Sequence, residues 1–116
     1  MSTISTVLAV LLIIVCIGSA LMDFRKPEKL VEEMKKLKVP VERLPLLGAI
    51  KILGAIGVAI GFQKVRLGEL AGLGLGMYFA IATVTHTRVK DSVKDTAPAF
   101  ILFVMSVLYV LTTVAK

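Results

Sequence analysis

The sequence predicts an all-α protein, a transmembrane four-helix bundle with an amphipathic interfacial helix between its first two spans. Three observations predict it. Of 116 residues, 57% are hydrophobic and 19% charged, against about 45–50% and 25% in a soluble domain. Mean hydropathy is +0.90, and so short a chain has too small an interior to hide that apolar excess. The apolar residues also fall into four runs of about 19 residues, each long enough to cross a hydrocarbon core of about 30 Å as a helix. None of the runs alternates with period two, and backbone in lipid must satisfy its own hydrogen bonds, so the spans are helices.

The first run covers residues 4–22. Its small residues Gly18, Ser19 and Ala20 resemble the end of a signal peptide. However, residues 1–6 carry no charged side chain and the apolar stretch exceeds a usual signal core, so a membrane helix is expected. The polar segment 23–43 follows. Within it, residues 27–38 read as a helix, with Pro27 at the first turn, Glu28, Glu32 and Glu33 early, and Lys35, Lys36 and Lys38 late. Leu30, Val31, Met34 and Leu37 share one face, which suits a helix lying at the membrane interface with its lysines snorkelling. Pro40 and Pro45 bracket the turn into the second run, residues 44–62; the third is 67–85 and the fourth 97–115. The whole chain, 1–116, reads as one transmembrane domain.

Basic residues set the expected orientation. Arg25, Lys26, Lys29, Lys35, Lys36, Lys38, Arg43, Arg88, Lys90 and Lys94 lie on one side, and Lys64, Arg66 and Lys116 on the other. The positive-inside rule then puts loops 23–43 and 86–96 in the cytoplasm and both termini outside a cell membrane. The net charge of +6 belongs to loops beside anionic lipid, so no nucleic-acid partner is expected. A single cysteine, Cys16, forbids an internal disulfide and is read as packing.

Small residues recur where helices can approach closely. The second run has Gly54, Gly57 and Gly61, and the third has Gly68, Gly72 and Gly76 at four-residue spacing. They suit packing of spans two and three, and alternatively a homo-oligomer interface or a flat wall for a lipid or quinone.

Few side chains offer chemistry. Lys51 falls about 10 Å into the second span by helix rise. A charge at that depth costs about 2.5–3.5 kcal/mol and has to face protein, water or a ligand. It either snorkels or pairs with Asp23, or holds an anionic headgroup, a carbonyl or a proton. His86, the only histidine, closes the third span beside Arg88 and Asp91. It suits a capping network, or alternatively proton transfer or ligand contact. Asp23, Lys51, His86, Arg88 and Asp91 all fall near one membrane face, where they suggest a polar ligand pocket, with Lys51 and His86 the catalytic candidates. One histidine and no carboxylate cluster in the sequence lead to an expectation of no metal and no cofactor. Glu69 favours the start of the third helix.

The order of short motifs resembles the DoxX-like family. Gly18-Ser19 and Asp23-Phe24-Arg25-Lys26-Pro27 come first, then Leu44-Pro45-Leu46-Leu47-Gly48 and Lys51-Ile52-Leu53-Gly54. Gly72-Leu73-Gly74, Tyr78-Phe79, His86-Thr87-Arg88, Asp91 and Pro98-Ala99 follow, so the resemblance covers nearly the whole chain. It implies a four-helix membrane domain with a link to quinone-coupled redox systems. Members often carry a lysine late in span one and a glutamate in span two. Here Leu21 or Met22 stands near the first place and Lys51 near the second, a feature of one branch. The expected role is a small subunit or scaffold that binds lipid or quinone and joins a membrane complex or copies of itself. The alternatives are an enzyme on a lipophilic substrate and, third, a small transporter.

Overall fold

A computed structural model describes residues 2–114. Among them the chain forms five α-helices and one 3-10 turn: α1 Thr3–Arg25, α2 Glu28–Lys36, the turn Val41–Arg43, α3 Leu44–Ile60, α4 Val65–Arg88 and α5 Val93–Val114. The all-α expectation holds. Helices α1, α4 and α5, and α3 together with its preceding turn, are long and apolar enough to span a membrane. The molecule measures 42 Å along its longest axis, the thickness of a bilayer with its headgroup layers, about 40–45 Å.

The four long helices form a closed ring: α1 packs on α3, α3 on α4, α4 on α5, and α5 back on α1. Each helix turns its small or polar residues inward. In α1 the buried positions are Ser5, Ala9, Leu12, Cys16, Ala20 and Asp23, at steps of three or four, while Ile4, Val7, Leu11, Ile14 and Leu21 point out. The exposed face is the more apolar one, as lipid solvent requires. The shared core is Ala9, Leu12, Cys16, Ala55, Val58, Leu75, Phe79 and Tyr109.

Helix ends differ from the sequence reading where capping extends a run. Helix α1 continues past Met22 to Arg25 and stops when Lys26 adopts a left-handed conformation (φ 50°), its N–H donating to the Met22 carbonyl. Helix α4 continues past Thr85. It ends in a Schellman turn with Lys90 at φ 54°, the Lys90 N–H on the Thr87 carbonyl and the Asp91 N–H on the His86 carbonyl. Helix α5 begins at Val93, because the Ser92 hydroxyl accepts the Asp95 N–H at 3.1 Å. Pro98, the sixth residue of that helix, lies past its first turn, so the helix gives up one i→i−4 hydrogen bond there. The expected end of this run, Ala115, and the basic Lys116 lie outside the described residues. Pro27 is the residue before α2 rather than its first turn, and Lys38 lies past its end at φ 61°.

The glycines divide between two interfaces. On α3, a Cβ at Gly54 would strike the Leu75 side chain, and one at Gly57 would strike Ala71; these seat α3 on α4. Gly61 and Gly68 face each other across the same pair, with the Tyr109 hydroxyl of α5 between them. Gly72 instead faces Tyr109 and Val110, and Gly76 faces Ser106 at a comfortable 3.8 Å. The expected packing of spans two and three is made by Gly54, Gly57, Gly61 and Gly68, while Gly72 and Gly76 turn toward α5 instead.

Candidate functional site

Most of the ionisable side chains lie at the end of the bundle where α1 and α4 finish and α3 and α5 begin. They form two clusters. In the first, the Lys51 Nζ donates to Asp23 Oδ2 and to Ser19 Oγ, each at 2.8 Å. Ser19 and Asp23 are one helical turn apart, so both point at α3. Gly48, one turn before Lys51, makes the approach possible: a Cβ there would lie 3.0 Å from the Phe24 ring and 3.2 Å from the Ala20 carbonyl. The Lys51 and Asp23 side chains are 10% and 5% exposed, and the ammonium also lies 5.6 Å from the Tyr78 ring centroid, a weak additional attraction. The lysine pairs with Asp23 as the sequence suggests, with Ser19 and Tyr78 added by the fold.

The second cluster joins three elements. His86, at the last turn of α4, hydrogen-bonds through Nδ1 to Asp91 Oδ2 at 2.7 Å. The Schellman turn explains this, since it folds the chain so that Asp91 meets both the backbone carbonyl and the ring of His86. The other carboxylate oxygen accepts from Lys36 of α2 and from the Ser92 N–H, and Lys36 reaches Asp95 at 3.7 Å. The Lys36 hydrogen bond, with help from His86, lowers the Asp91 pKa to about 2. The same contact raises the pKa of Lys36. The Asp91 carboxylate is fully covered by its neighbours, although the lysine stem is half exposed. Glu33, one turn before Lys36 on α2, completes the group: its carboxylate, the His86 ring and the Asp91 carboxylate each place a ligand atom within 4.8 Å of the others.

Of the five residues expected to share a pocket, the fold joins Asp23 with Lys51 and His86 with Asp91, and keeps the pairs apart. Among the described residues no hydrogen bond or ion pair links Lys51 to His86, and exposed Arg88 has no ion-pair partner. Glu33, Lys36 and Ser19 were missed as site residues. For Glu33 and Lys36 the only sequence signal was a shared face three residues apart, with nothing to say what that face would meet.

A different feature lies in the membrane-facing wall. An apolar groove of about 290 Å³ runs between α4 and α5, floored by Gly72, Gly76 and Ala80 and flanked by Met77, Phe103 and Val107. Two glycines leave it hollow, because no side chain fills the space beside the helix backbone. On the opposite end of the bundle, polar side chains tie helices together: Ser5 donates to Thr112 at 2.8 Å, and Thr113 to Glu69 at 3.2 Å. Glu69 thus links α4 to α5; α4 begins at Val65, which leaves Glu69 past the first turn and corrects the expectation that it favours the helix start.

A closed ring of four apolar helices with most of its charges at one end defines a small multi-pass membrane protein. Residues 7–109 match the DoxX-like family, and the chain belongs to it. Comparison with curated proteins and with solved structures returns no match.

Proposed function

We propose that this protein is a small subunit or scaffold of the cell membrane that holds the hydrocarbon chain of a lipid or quinone and supports a larger, redox-linked membrane assembly. The α4–α5 groove carries the reading. Its volume lies at the lower end of ligand pockets, about 300–1,000 Å³, and its lining residues are apolar apart from glycine. That chemistry suits a stretch of acyl or isoprenoid chain better than a polar head. Lys51 and His86 are each engaged by their own carboxylate, an arrangement that favours structural roles over joint proton transfer on a substrate. In this reading the clustered basic end faces the cytoplasm.

Gly76 provides the test, because it floors the groove and a Cβ there meets only Ser106, at an ordinary contact distance of 3.8 Å. The protein and its Gly76→Leu variant are purified from native membrane in mild detergent and analysed by native mass spectrometry. The expected result is a lipid or quinone near one-to-one on the wild type, lost from a variant of unchanged melting temperature. The mass separates lipid from quinone, and co-eluting proteins identify the assembly. Only bulk lipid on both forms, with no co-eluting protein, overturns the proposal.

A further inference from the structure

We infer that Glu33, His86 and Asp91 form a binding site for a first-row divalent cation of the Zn²⁺ type, which clasps α2 to the α4–α5 turn. The three residues come from two separate parts of the chain, and their ligand atoms already lie within 4.8 Å of one another. A tetrahedral ion bound at about 2.0–2.2 Å needs ligand atoms roughly 3.3 Å apart. The His86–Asp91 hydrogen bond at 2.7 Å has to open slightly to admit the ion, and Glu33, on the partly exposed face of a short helix, turns in to close the remaining gap. One imidazole with two carboxylates is a donor set for Zn²⁺, Co²⁺ or Mn²⁺ more than for Mg²⁺, which prefers oxygen and retains water.

Two further observations point to a cation here. His86 is buried and the Asp91 carboxylate has no exposed surface, so a negative group is kept from solvent at this spot and needs a positive partner. That partner is at present the Lys36 ammonium, which stands on Asp91 from a half-exposed, flexible stem. Asp91 thus already holds a positive charge, and the lysine is the one member able to leave for water. Metal entry takes the place of the Lys36 ammonium, which moves out to solvent still protonated, and uses the lone pair of one His86 ring nitrogen. The long helices pack on one another, whereas α2 contacts chiefly the 3-10 turn. The cluster is therefore its main polar anchor to the bundle, and a metal would fix the helix in place.

The test uses full-length protein in detergent, stripped with chelator and free of an affinity tag, titrated with Co²⁺ as a visible probe and then with Zn²⁺ in competition. Wild type is expected to bind near one equivalent, with ligand-field bands that Zn²⁺ removes. Glu33→Gln and His86→Gln should weaken binding by at least about tenfold, while Lys36→Met strengthens it by removing the resident cation. Glu33→Gln alters a partly exposed side chain, so it reports even if the histidine variant does not fold. Binding that survives both ligand changes, or none to either wild type or Lys36→Met, overturns the inference.

Discussion

Lys51 stands where a charge is costly, and the residues around it show how the cost is met. Its ammonium has two hydrogen bonds to α1 and an aromatic face nearby, and its carboxylate partner is more deeply buried than the lysine itself. A buried pair adds little net stability, yet breaking one half strands the other charge, at about 3–5 kcal/mol. Lys51→Met is therefore expected to lower stability by that order in detergent unfolding measurements. Lys51→Met combined with Asp23→Leu should recover most of the loss, since two apolar side chains replace the pair. Equal destabilisation in the single and double variants would show that the pair is not the source. The depth of Lys51 and the candidacy of Asp23 were both legible in the sequence, because hydropathy placed each relative to the membrane. Ser19 was not legible as a partner: in the sequence it is one small residue among three, and only the α1–α3 register set by Gly48 aims it at the ammonium.

At the scale of the helix, the spans could be read from the sequence, but their inward faces were much harder to assign. Hydrophobic periodicity marks a buried face when the outside is water. Here the outside is lipid, so α1 hides Ser5, Ala9, Cys16 and Asp23 and displays isoleucine, leucine and valine. Glycine spacing was the better guide, although it could not tell that the α4 stripe serves α3 at Gly68 and α5 at Gly72. Gly61, Gly68 and Tyr109 form the tightest of these contacts. A Cβ at Gly68 would collide with the tyrosine hydroxyl, and that hydroxyl is buried with no hydrogen-bond partner among the described residues. Two outcomes are expected in thermal unfolding. Gly68→Ala should destabilise by about 1–3 kcal/mol through overpacking. Tyr109→Phe should be neutral or stabilising by about 1 kcal/mol, because it removes an unpaired polar atom. In the Tyr109→Phe background Gly68→Ala should cost much less. Simple additivity of the two changes would mean that the hydroxyl does not fill the notch.

For the molecule as a whole, charge and packing have separate ends. Beside α1, α3, α4 and α5, the end carrying Asp23, Lys51, His86 and Asp91 also carries ten of the basic side chains outside the spans. The other end has Lys64 and Arg66 beside the hydroxyl ties Ser5–Thr112 and Glu69–Thr113. Each lysine or arginine held near an anionic leaflet gains about 1 kcal/mol, so turning the bundle over would forfeit several kcal/mol at the loops. This asymmetry was fully legible in the sequence, since it depends on loop composition alone. The meeting of Glu33 with His86 was not, because it depends on where a short amphipathic helix docks. The orientation can be measured on intact cells in a Cys16→Ala background, with single reporter cysteines at Gln63 and at Lys94, both exposed. A membrane-impermeant maleimide is expected to label Gln63→Cys from outside, and Lys94→Cys only after the cells are permeabilised. The reverse pattern would place the paired clusters and the basic helix outside, and the loop charge would then have to be explained by a protein partner instead of the anionic inner leaflet.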